Sequence, residues 1–132
     1  MKSDVYYKAI FEASPALYIV VDTDWNIVAV SDSYLKAAML KREDILGKNV
    51  FEVLPDNPDA PEVQGTAAFR ASLERVVKSG DIEYMPIQRY DVQSPAGFVK
   101  RYWMPLNAPV FDEHGKVIYC IHGVEDVTNT VK

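Results

Sequence analysis

The chain has 132 residues, of which 48% are hydrophobic and 25% charged, a composition typical of one soluble globular domain rather than of a disordered chain. Its formal net charge of −5 argues against a nucleic-acid partner and against direct contact with an anionic membrane, because both require a basic face. The one cysteine, Cys120, excludes an internal disulfide framework and a Cys-rich zinc site. Single-cysteine usage suits a reducing compartment, and no basic segment followed by a long apolar run begins the chain. We therefore expect a cytoplasmic location.

The first half of the chain predicts strands followed by short helices. Residues 4–13 carry apolar residues on one helical stripe, and residues 16–32 form two apolar runs around the polar turn "DTDWN". "SYLKAAML" and "REDIL" are typical of short helical pieces, the second closed by Gly47 in a left-handed cap. One more helical turn then leads into a loop with three prolines, which we expect to be semi-rigid.

The second half predicts one long helix and three strands. Apolar residues recur at helical spacing over Thr66–Ser79, and Gly80 follows where a helix would end. Strand-like segments follow at Ile82–Val92, Phe98–Phe111 and Lys116–Val127, separated by the turns "QSPAG" and "DEHG". Antiparallel strands at both ends with helices between them predict an α+β fold, in which one sheet carries helices on one face.

Three motifs, in this order and spacing, carry a resemblance to a known family. They are "FEASPALYIVVDTDWNIVAVSDSYL", "REDILGKNVFEVLPD" and "RYWMPLNAPVFDEHGKVIYCIHGVEDVT". Together they resemble a PAS domain, the sensory module of bacterial signalling proteins, over roughly residues 10–128, and the last motif is closest to PAS domains fused to sensor histidine kinases of two-component systems. The resemblance implies a five-stranded antiparallel sheet with a cavity beneath helices packed on one face. It divides the chain into an N-terminal flanking helix (1–15), a PAS sensor domain (16–128) and the start of a linker (129–132).

The resemblance also bears on cofactors. In flavin-binding relatives a reactive cysteine stands where this chain has Val50, within "GKNVFEVLP", and a flavin-bonding glutamine stands where it has Val124. Haem-binding relatives carry an axial histidine on or near the long helix, which has none here; His122 could reach iron only from the opposite wall. We therefore expect neither flavin nor haem. His114 lies in a turn without further ligand residues, so no metal is expected.

Catalysis finds little support in the sequence. Cys120 and His122 face the same side of a strand, but same-face neighbours need not reach hydrogen-bond distance. The acidic pairs lie in turns or at strand ends, where carboxylates are solvated. We expect no enzyme activity in this domain, although the parent protein is expected to be a histidine kinase.

Strand alternation, guided by the family, divides the last two strands into faces. Ile118 is assigned to the cavity side and Val117 to the outer side. Polar groups on the cavity side either satisfy one another in a filled core or line a pocket for a small organic ligand. The candidate pocket residues are Phe69, Leu73, Tyr90, Trp103, Asn107, Cys120, His122 and Val124.

The outer face is nearly all apolar and therefore needs a cover. We expect a homodimer through this face and the N-terminal helix, the alternative being a monomer covered by its own helix. The candidate interface residues are Val5, Ala9, Ile10, Met104, Leu106, Tyr119 and Ile121.

The resemblance implies an exit for the signal at "EDVT". Glu125, Asp126 and Thr128 are expected to pass a change in the cavity to a C-terminal effector domain, a histidine kinase or similar, because Asp126 and Thr128 can bond local backbone where the strand ends. The alternative is a cavity-filled PAS domain that acts only in dimerisation and relay, without a ligand.

Overall fold

The computed structural model describes the backbone of residues 3–130 and the side chains of residues 6–130. Its five helices are α1 (Ser3–Glu12), α2 (Asp32–Ala38), α3 (Arg42–Ile45), α4 (Val50–Val53) and α5 (Gly65–Ser79). Its strands are β1 (Leu17–Asp22), β2 (Ile27–Val30), β3 (Glu83–Tyr84), β4 (Gln88–Arg89), β5 (Val92–Ser94), β6 (Gly97–Val99), β7 (Tyr102–Phe111) and β8 (Val117–Asp126). The order of helices and strands agrees with the sequence prediction.

Local sequence signals fix the helix ends. Ser31 caps α2 by accepting a hydrogen bond from the Tyr34 amide, and the same hydroxyl donates to the Ala16 carbonyl at 2.8 Å. Gly47 follows α3 with a φ of +83°, and Gly80 ends α5 with a φ of +72°. Both glycines therefore adopt the left-handed conformation that their positions predicted.

The main sheet is antiparallel, with strand order β2-β1-β8-β7-β3, and β4 also pairs with β7. It thus has six strands, and the expected number of five is wrong. The predicted strand Ile82–Val92 is split into β3 and β4, both paired with β7. Pro86 lies in the gap, where its missing N–H cannot continue the ladder.

A second interruption separates a small hairpin from the main sheet. β5 and β6 pair only with each other, from Val92↔Val99 to Ser94↔Gly97. Gly97 has a φ of +111°, which allows the tight turn between these strands. The predicted strand Phe98–Phe111 therefore consists of β6 and β7, separated by Lys100 and Arg101.

The hydrophobic core lies between the sheet and helices α2 to α5. Its fully buried members include Ile19, Val21, Val50, Leu73 and Val76. Within residues 3–130, none of the helices has the length and apolar composition that crossing a bilayer requires.

Alternation along β7 places Trp103, Pro105 and Asn107 on the buried face and Met104 on the exposed one, as expected. On β8 the prediction fails at one end, because Val110 pairs with Tyr119 and Phe111 with Val117. Ile118 is therefore the extra residue of a β-bulge, which reverses the faces beyond it. Val117, assigned to the outer side, lies in the core, and Ile118 is only partly buried.

Candidate functional site

A cavity of about 60 Å³ lies between the helices and the inner face of the sheet. Its wall is mostly apolar, and its few polar groups come from β8, from the segment around β4 and β5, and from Tyr34 on α2. The lining residues are Tyr34, Ala38, Leu40, Val53, Leu54, Pro55, Gly65, Phe69, Met85, Gln88, Tyr90, Asp91, Val92, Gln93, Trp103, Pro105, His122 and Val124.

Two aromatic residues of the cavity wall are held by hydrogen bonds to the backbone. The Trp103 Nε1 donates to the Tyr90 carbonyl at 2.8 Å, and the Tyr90 hydroxyl donates to the Leu54 carbonyl. Burial raises the pKa of the Tyr90 phenol, so it stays neutral and keeps its proton for this bond. These bonds tie β7 and the segment after β4 to the end of α4.

The polar side of the cavity is formed by the Asp91 carboxylate, whose charge is paired by neighbouring hydrogen-bond donors. Asp91 accepts two bonds from Arg89, at 3.0 and 2.9 Å, and a third from Asn57 at 3.0 Å. Burial acts to raise the pKa of the Asp91 carboxyl, but these donors outweigh it and hold the pKa below its usual range. Asp91 therefore lines the cavity as an ionised group whose charge is already paired, and it fastens the proline-rich loop to the sheet.

His122 is the polar group of the sheet wall. Its ring packs against Phe69 at a tilt of 31°, with 4.1 Å between the centroids, and its Nδ1 lies 2.7 Å from Asn107 Oδ1. Burial lowers the pKa of His122 to about 3, so the imidazole is neutral at physiological pH. Since neutral imidazole has one donor and one acceptor nitrogen, its tautomer determines what the cavity presents to a ligand.

A chain of polar side chains runs from His122 to the surface. Asn107 Nδ2 donates to Ser72 Oγ at 2.8 Å, and Ser72 Oγ donates to Glu83. Glu83 forms an ion pair with Arg75, with 2.7 Å between Arg75 Nε and Glu83 Oε1. The chain thus connects β8, β7, α5 and β3.

The structure brings five of the eight candidate pocket residues together. Phe69, Tyr90, Trp103, His122 and Val124 line the cavity. Leu73 and Cys120 are fully buried in the core, and Asn107 lies behind His122 rather than against the cavity. Burial raises the pKa of the Cys120 thiol to about 11, which keeps it protonated.

The residues that sequence reasoning missed come mainly from two regions. Gln88, Asp91 and Gln93 belong to the irregular segment around β4 and β5, where strand alternation gives no guide. Tyr34 and Ala38 lie on the buried face of α2, a segment whose sequence predicted a short helix but gave no sign of a cavity. Pro105, on the same face of β7 as Trp103, also lines the cavity.

The end of β8 has the local bonds that its sequence suggested. The Thr128 amide donates to Asp126 Oδ1 at 2.9 Å, and Thr128 Oγ1 accepts the Tyr102 amide at 2.9 Å. Asp126 pairs directly with Trp103 across β7 and β8, whereas Glu125 is exposed opposite Met104. A residue of the cavity wall is therefore the direct neighbour of the predicted exit.

The outer sheet face remains partly open to solvent. Tyr84 is 74% exposed, Met104 46% and Tyr119 37%, while Leu106 and Ile121 are half-buried. Helix α1 contacts β2 and, through Phe11 stacked on Tyr18 with centroids 6.2 Å apart, β1. Ala9 is exposed and Ile10 is 63% exposed, whereas the Val5 side chain lies outside the described residues.

The fold and site define a class: one antiparallel sheet with helices enclosing a small internal cavity, a type of domain that holds ligands or relays signals. The chain belongs to the PAS family, since the family model described as PAS fold matches residues 11–132. No curated protein matches the sequence.

Solved structures of PAS and light-oxygen-voltage domains share this fold. An RNA-binding light-oxygen-voltage receptor superposes with a TM-score of 0.73 at 16% identity, over 97% of this chain but only 33% of the receptor. The PAS domain of Bordetella pertussis BvgS superposes with a TM-score of 0.70 at 20% identity, over 94% of this chain and 85% of that one. The chain thus spans about a third of the receptor's length and most of the BvgS domain's.

A third relative is VqmA of Vibrio cholerae, described as a dimer and a DNA-binding LuxR-type receptor. It superposes with a TM-score of 0.69 at 25% identity, over 96% of this chain and 52% of VqmA. VqmA bound to DPO is also similar, with a TM-score of 0.67 and 23% identity over 92% of this chain and 57% of that one.

Proposed function

We propose that this PAS domain senses a small organic molecule in its internal cavity and passes the change to an effector. The observation that carries the proposal is the cavity itself: an apolar chamber into which one neutral, buried imidazole projects. Apolar walls with a few oriented polar groups are the usual composition of small-molecule sites. That a similar structure, VqmA, is described as bound to DPO supports the same use of this fold.

The size of the cavity restricts the ligand. A volume of about 60 Å³ is far below the roughly 300 to 1,000 Å³ of pockets for drug-sized molecules. It suits a molecule of few non-hydrogen atoms and weighs against flavin and haem. Val50, at the position of the reactive cysteine, is buried at the start of α4 and is not part of the cavity wall.

The route outward begins at Trp103. A ligand that moves this ring would act directly on its strand partner, Asp126, whose side chain holds the Thr128 amide. We propose that Glu125, Asp126 and Thr128 form the junction to a C-terminal effector, a histidine kinase or similar. The described relatives differ in their effectors, since VqmA is a DNA-binding receptor.

We further propose that the domain acts as a cytoplasmic homodimer without enzyme activity or nucleic-acid contact of its own. The exposed apolar side chains of the outer sheet face support the dimer, because such a surface is costly in water. The protonated, fully buried Cys120 supports the absence of nucleophilic catalysis.

A second candidate is a PAS domain that relays signals without a ligand. The small volume of the cavity favours it, since side chains already occupy most of the space between helices and sheet. The two functions differ in whether anything binds inside.

Native mass spectrometry of protein purified from cells, followed by thermal-shift screening with small metabolites, separates them. Ala38→Leu adds volume inside the cavity and should abolish bound mass and ligand-induced shifts, whereas Ala67→Leu makes the same change on the exposed face of α5 and should preserve them. If no compound binds the unaltered domain, the sensor function fails and the relay function stands.

A further inference from the structure

The hydrogen-bond chain behind the cavity has a direction, which its surface end determines. Hydrogen bonds from Arg75 and from Ser72 hold the pKa of Glu83 below its ordinary value. Glu83 is therefore an ionised carboxylate at neutral pH, and a carboxylate only accepts hydrogen bonds. The Ser72 hydroxyl must therefore donate its single proton to the Glu83 carboxylate.

This constraint passes to Asn107. Because the Ser72 proton is committed, its oxygen can only accept from the next group, 2.8 Å away, and that group must be the Asn107 amide nitrogen. The same nitrogen lies 3.5 Å from the Met85 sulfur, a weak acceptor for its second hydrogen. The amide oxygen of Asn107 is thereby turned toward β8.

The hydrogen-bond chain ends at the His122 imidazole. Asn107 Oδ1 is an acceptor and lies 2.7 Å from His122 Nδ1, so that nitrogen carries the proton. The other ring nitrogen, Nε2, then has a lone pair and no hydrogen. Nε2 makes no hydrogen bond with any residue in the described part of the chain. It is not fully enclosed by protein atoms either, since among the described residues Arg42 Nε is the one fully enclosed side-chain nitrogen or oxygen that lacks a hydrogen bond. Nε2 is therefore open to the cavity that the His122 ring lines.

We propose that the cavity selects small neutral molecules carrying an O–H or N–H donor, because the chain from Glu83 through Ser72 and Asn107 fixes His122 Nε2 as a hydrogen-bond acceptor. This inference rests on the proposed sensing function and names the class of ligand. Tyr34 also lines the cavity, but its hydroxyl can donate or accept a hydrogen bond and so does not distinguish donor ligands from acceptor ligands. The Asp91 carboxylate does not compete with His122 for the ligand, because it already accepts three side-chain hydrogen bonds.

Pyrrole and furan are suitable probes, because they are flat five-membered rings of nearly equal size and differ in carrying an N–H donor or an oxygen acceptor. We expect pyrrole to bind about tenfold more tightly than furan, the difference between a made and an unmade hydrogen bond at a buried acceptor. Titrations followed by amide chemical shifts measure both affinities. The imidazole nitrogen shifts of ¹⁵N-labelled protein give the His122 tautomer without any ligand.

The surface end of the chain supplies the decisive variant. Glu83→Gln replaces an obligatory acceptor by an amide that can donate or accept, so the direction of the chain is no longer fixed. We expect mixed His122 tautomers and a pyrrole preference that falls to about twofold or less. Glu74→Gln makes the same charge change at an exposed position of α5 and should behave like the unaltered protein.

The outcomes separate the two hypotheses. A His122 proton on Nε2 in the unaltered protein, or furan binding as well as pyrrole, would overturn the inference while leaving the sensor function intact. Binding of neither probe, with the proton found on Nδ1, would overturn the ligand preference, whereas the sensor function fails only if no compound of the thermal-shift screen binds either. A preserved preference in Glu83→Gln would show that the surface carboxylate does not set the direction.

Discussion

At the scale of single residues, His122 combines a structural role with a chemical one. Its ring packs on Phe69 in the core, and one nitrogen is bound to Asn107. A buried imidazole of this kind stabilises the fold only while it is neutral, because charging it inside the protein is costly. The stability of the domain should therefore depend on pH through this residue.

The free energy of unfolding should fall as the pH is lowered from 6.5 to 4.5. The pKa of His122 is about 3 in the folded protein against 6.5 for free imidazole, so in this range the unfolded chain takes up a proton that the folded chain does not. The slope is about 1.4 kcal/mol per pH unit at most. Carboxyls with lowered pKa values, such as Asp91, lose their contribution at still lower pH, which is why the range stops at 4.5.

Urea denaturation at several pH values measures this slope. His122→Gln should remove most of it, whereas His114→Gln, at a residue whose side chain is 82% exposed, should leave it unchanged. An equal slope in all three proteins would assign the pH dependence to other groups.

Gly65 is a second residue whose identity the cavity determines. A Cβ at this position would lie 2.6 Å from Tyr90 Cδ2, well inside the roughly 3.5 Å at which two carbon atoms make van der Waals contact. Gly65→Ala should therefore lower the free energy of unfolding by about 1 to 3 kcal/mol, despite the better helix propensity of alanine. Urea denaturation checks this value.

The double-mutant cycle with Tyr90→Ala tests the cause. With the ring removed, most of the penalty of Gly65→Ala should disappear, because the contact that remains is to the Arg89 carbonyl at 3.3 Å. A penalty of the same size in both backgrounds would exclude the Tyr90 clash.

At the scale of secondary structure, the β7–β8 pair joins the cavity to the end of the domain. The inner face of this pair carries Trp103 and His122, and its end is held by Thr128. Trp103 and Asp126 are direct partners in the β-ladder, so a movement of Trp103 in the cavity wall acts on Asp126 at the end of β8 without any residue in between. That short path makes the end of the pair a suitable element for a two-state change.

Thr128→Val should loosen the end of the β7–β8 pair without unfolding the domain. It keeps the shape of the side chain but removes the oxygen that accepts the Tyr102 amide at 2.9 Å. We expect hydrogen exchange of that amide to accelerate about tenfold, while exchange in β1 stays unchanged. Thr130→Val is the matched control, since the Thr130 hydroxyl donates to the Val127 carbonyl and leaves Tyr102 untouched. Exchange at Tyr102 that does not respond to Thr128→Val would show that the threonine does not hold this junction.

At the scale of the whole molecule, the outer sheet face is an apolar surface that stays partly exposed in the described part of the chain. Helix α1 packs beside β1 and β2, while Met104 and Tyr119 stay exposed. The exposed residues of α1 include apolar ones, with Tyr7 71% and Ile10 63% exposed. Two apolar surfaces on one molecule are consistent with the packing of one copy's α1 and sheet against another's.

A charge on this face should produce a monomer. Met104→Glu would bury an unpaired carboxylate in the predicted interface and weaken dimerisation at least about tenfold. Val28→Glu, at a 41% exposed position on β2, is the control. Light scattering coupled to size-exclusion chromatography at micromolar concentration measures the mass, and a dimer that persists in Met104→Glu, or after deletion of residues 1–14, would contradict the predicted interface.

The sequence by itself determined the order of elements, the PAS family and most of the strand faces. The order of elements depends on local periods and on turn residues such as Gly47 and Gly80, which act on their immediate neighbours. The family and the strand faces follow from the resemblance of the three motifs. Five of the eight candidate pocket residues, chosen with the family resemblance as a guide, line the cavity. The bulge at Ile118 could not be predicted, because a register shift depends on the partner strand. The sixth strand arises from the interruption at Pro86, a local signal that the prediction of one continuous strand did not take into account.

Only the tertiary structure decided which polar groups meet. The sequence indicates that Asn107 and His122 can satisfy each other. Their further partners are distant in the chain, since Ser72 on α5 lies 35 residues before Asn107 and Glu83 on β3 bonds to Ser72. Whether the imidazole accepts or donates toward the cavity follows from a carboxylate at the far end of that chain. Hydrogen-bond direction is a property of the connected network, and a linear sequence does not contain the connections.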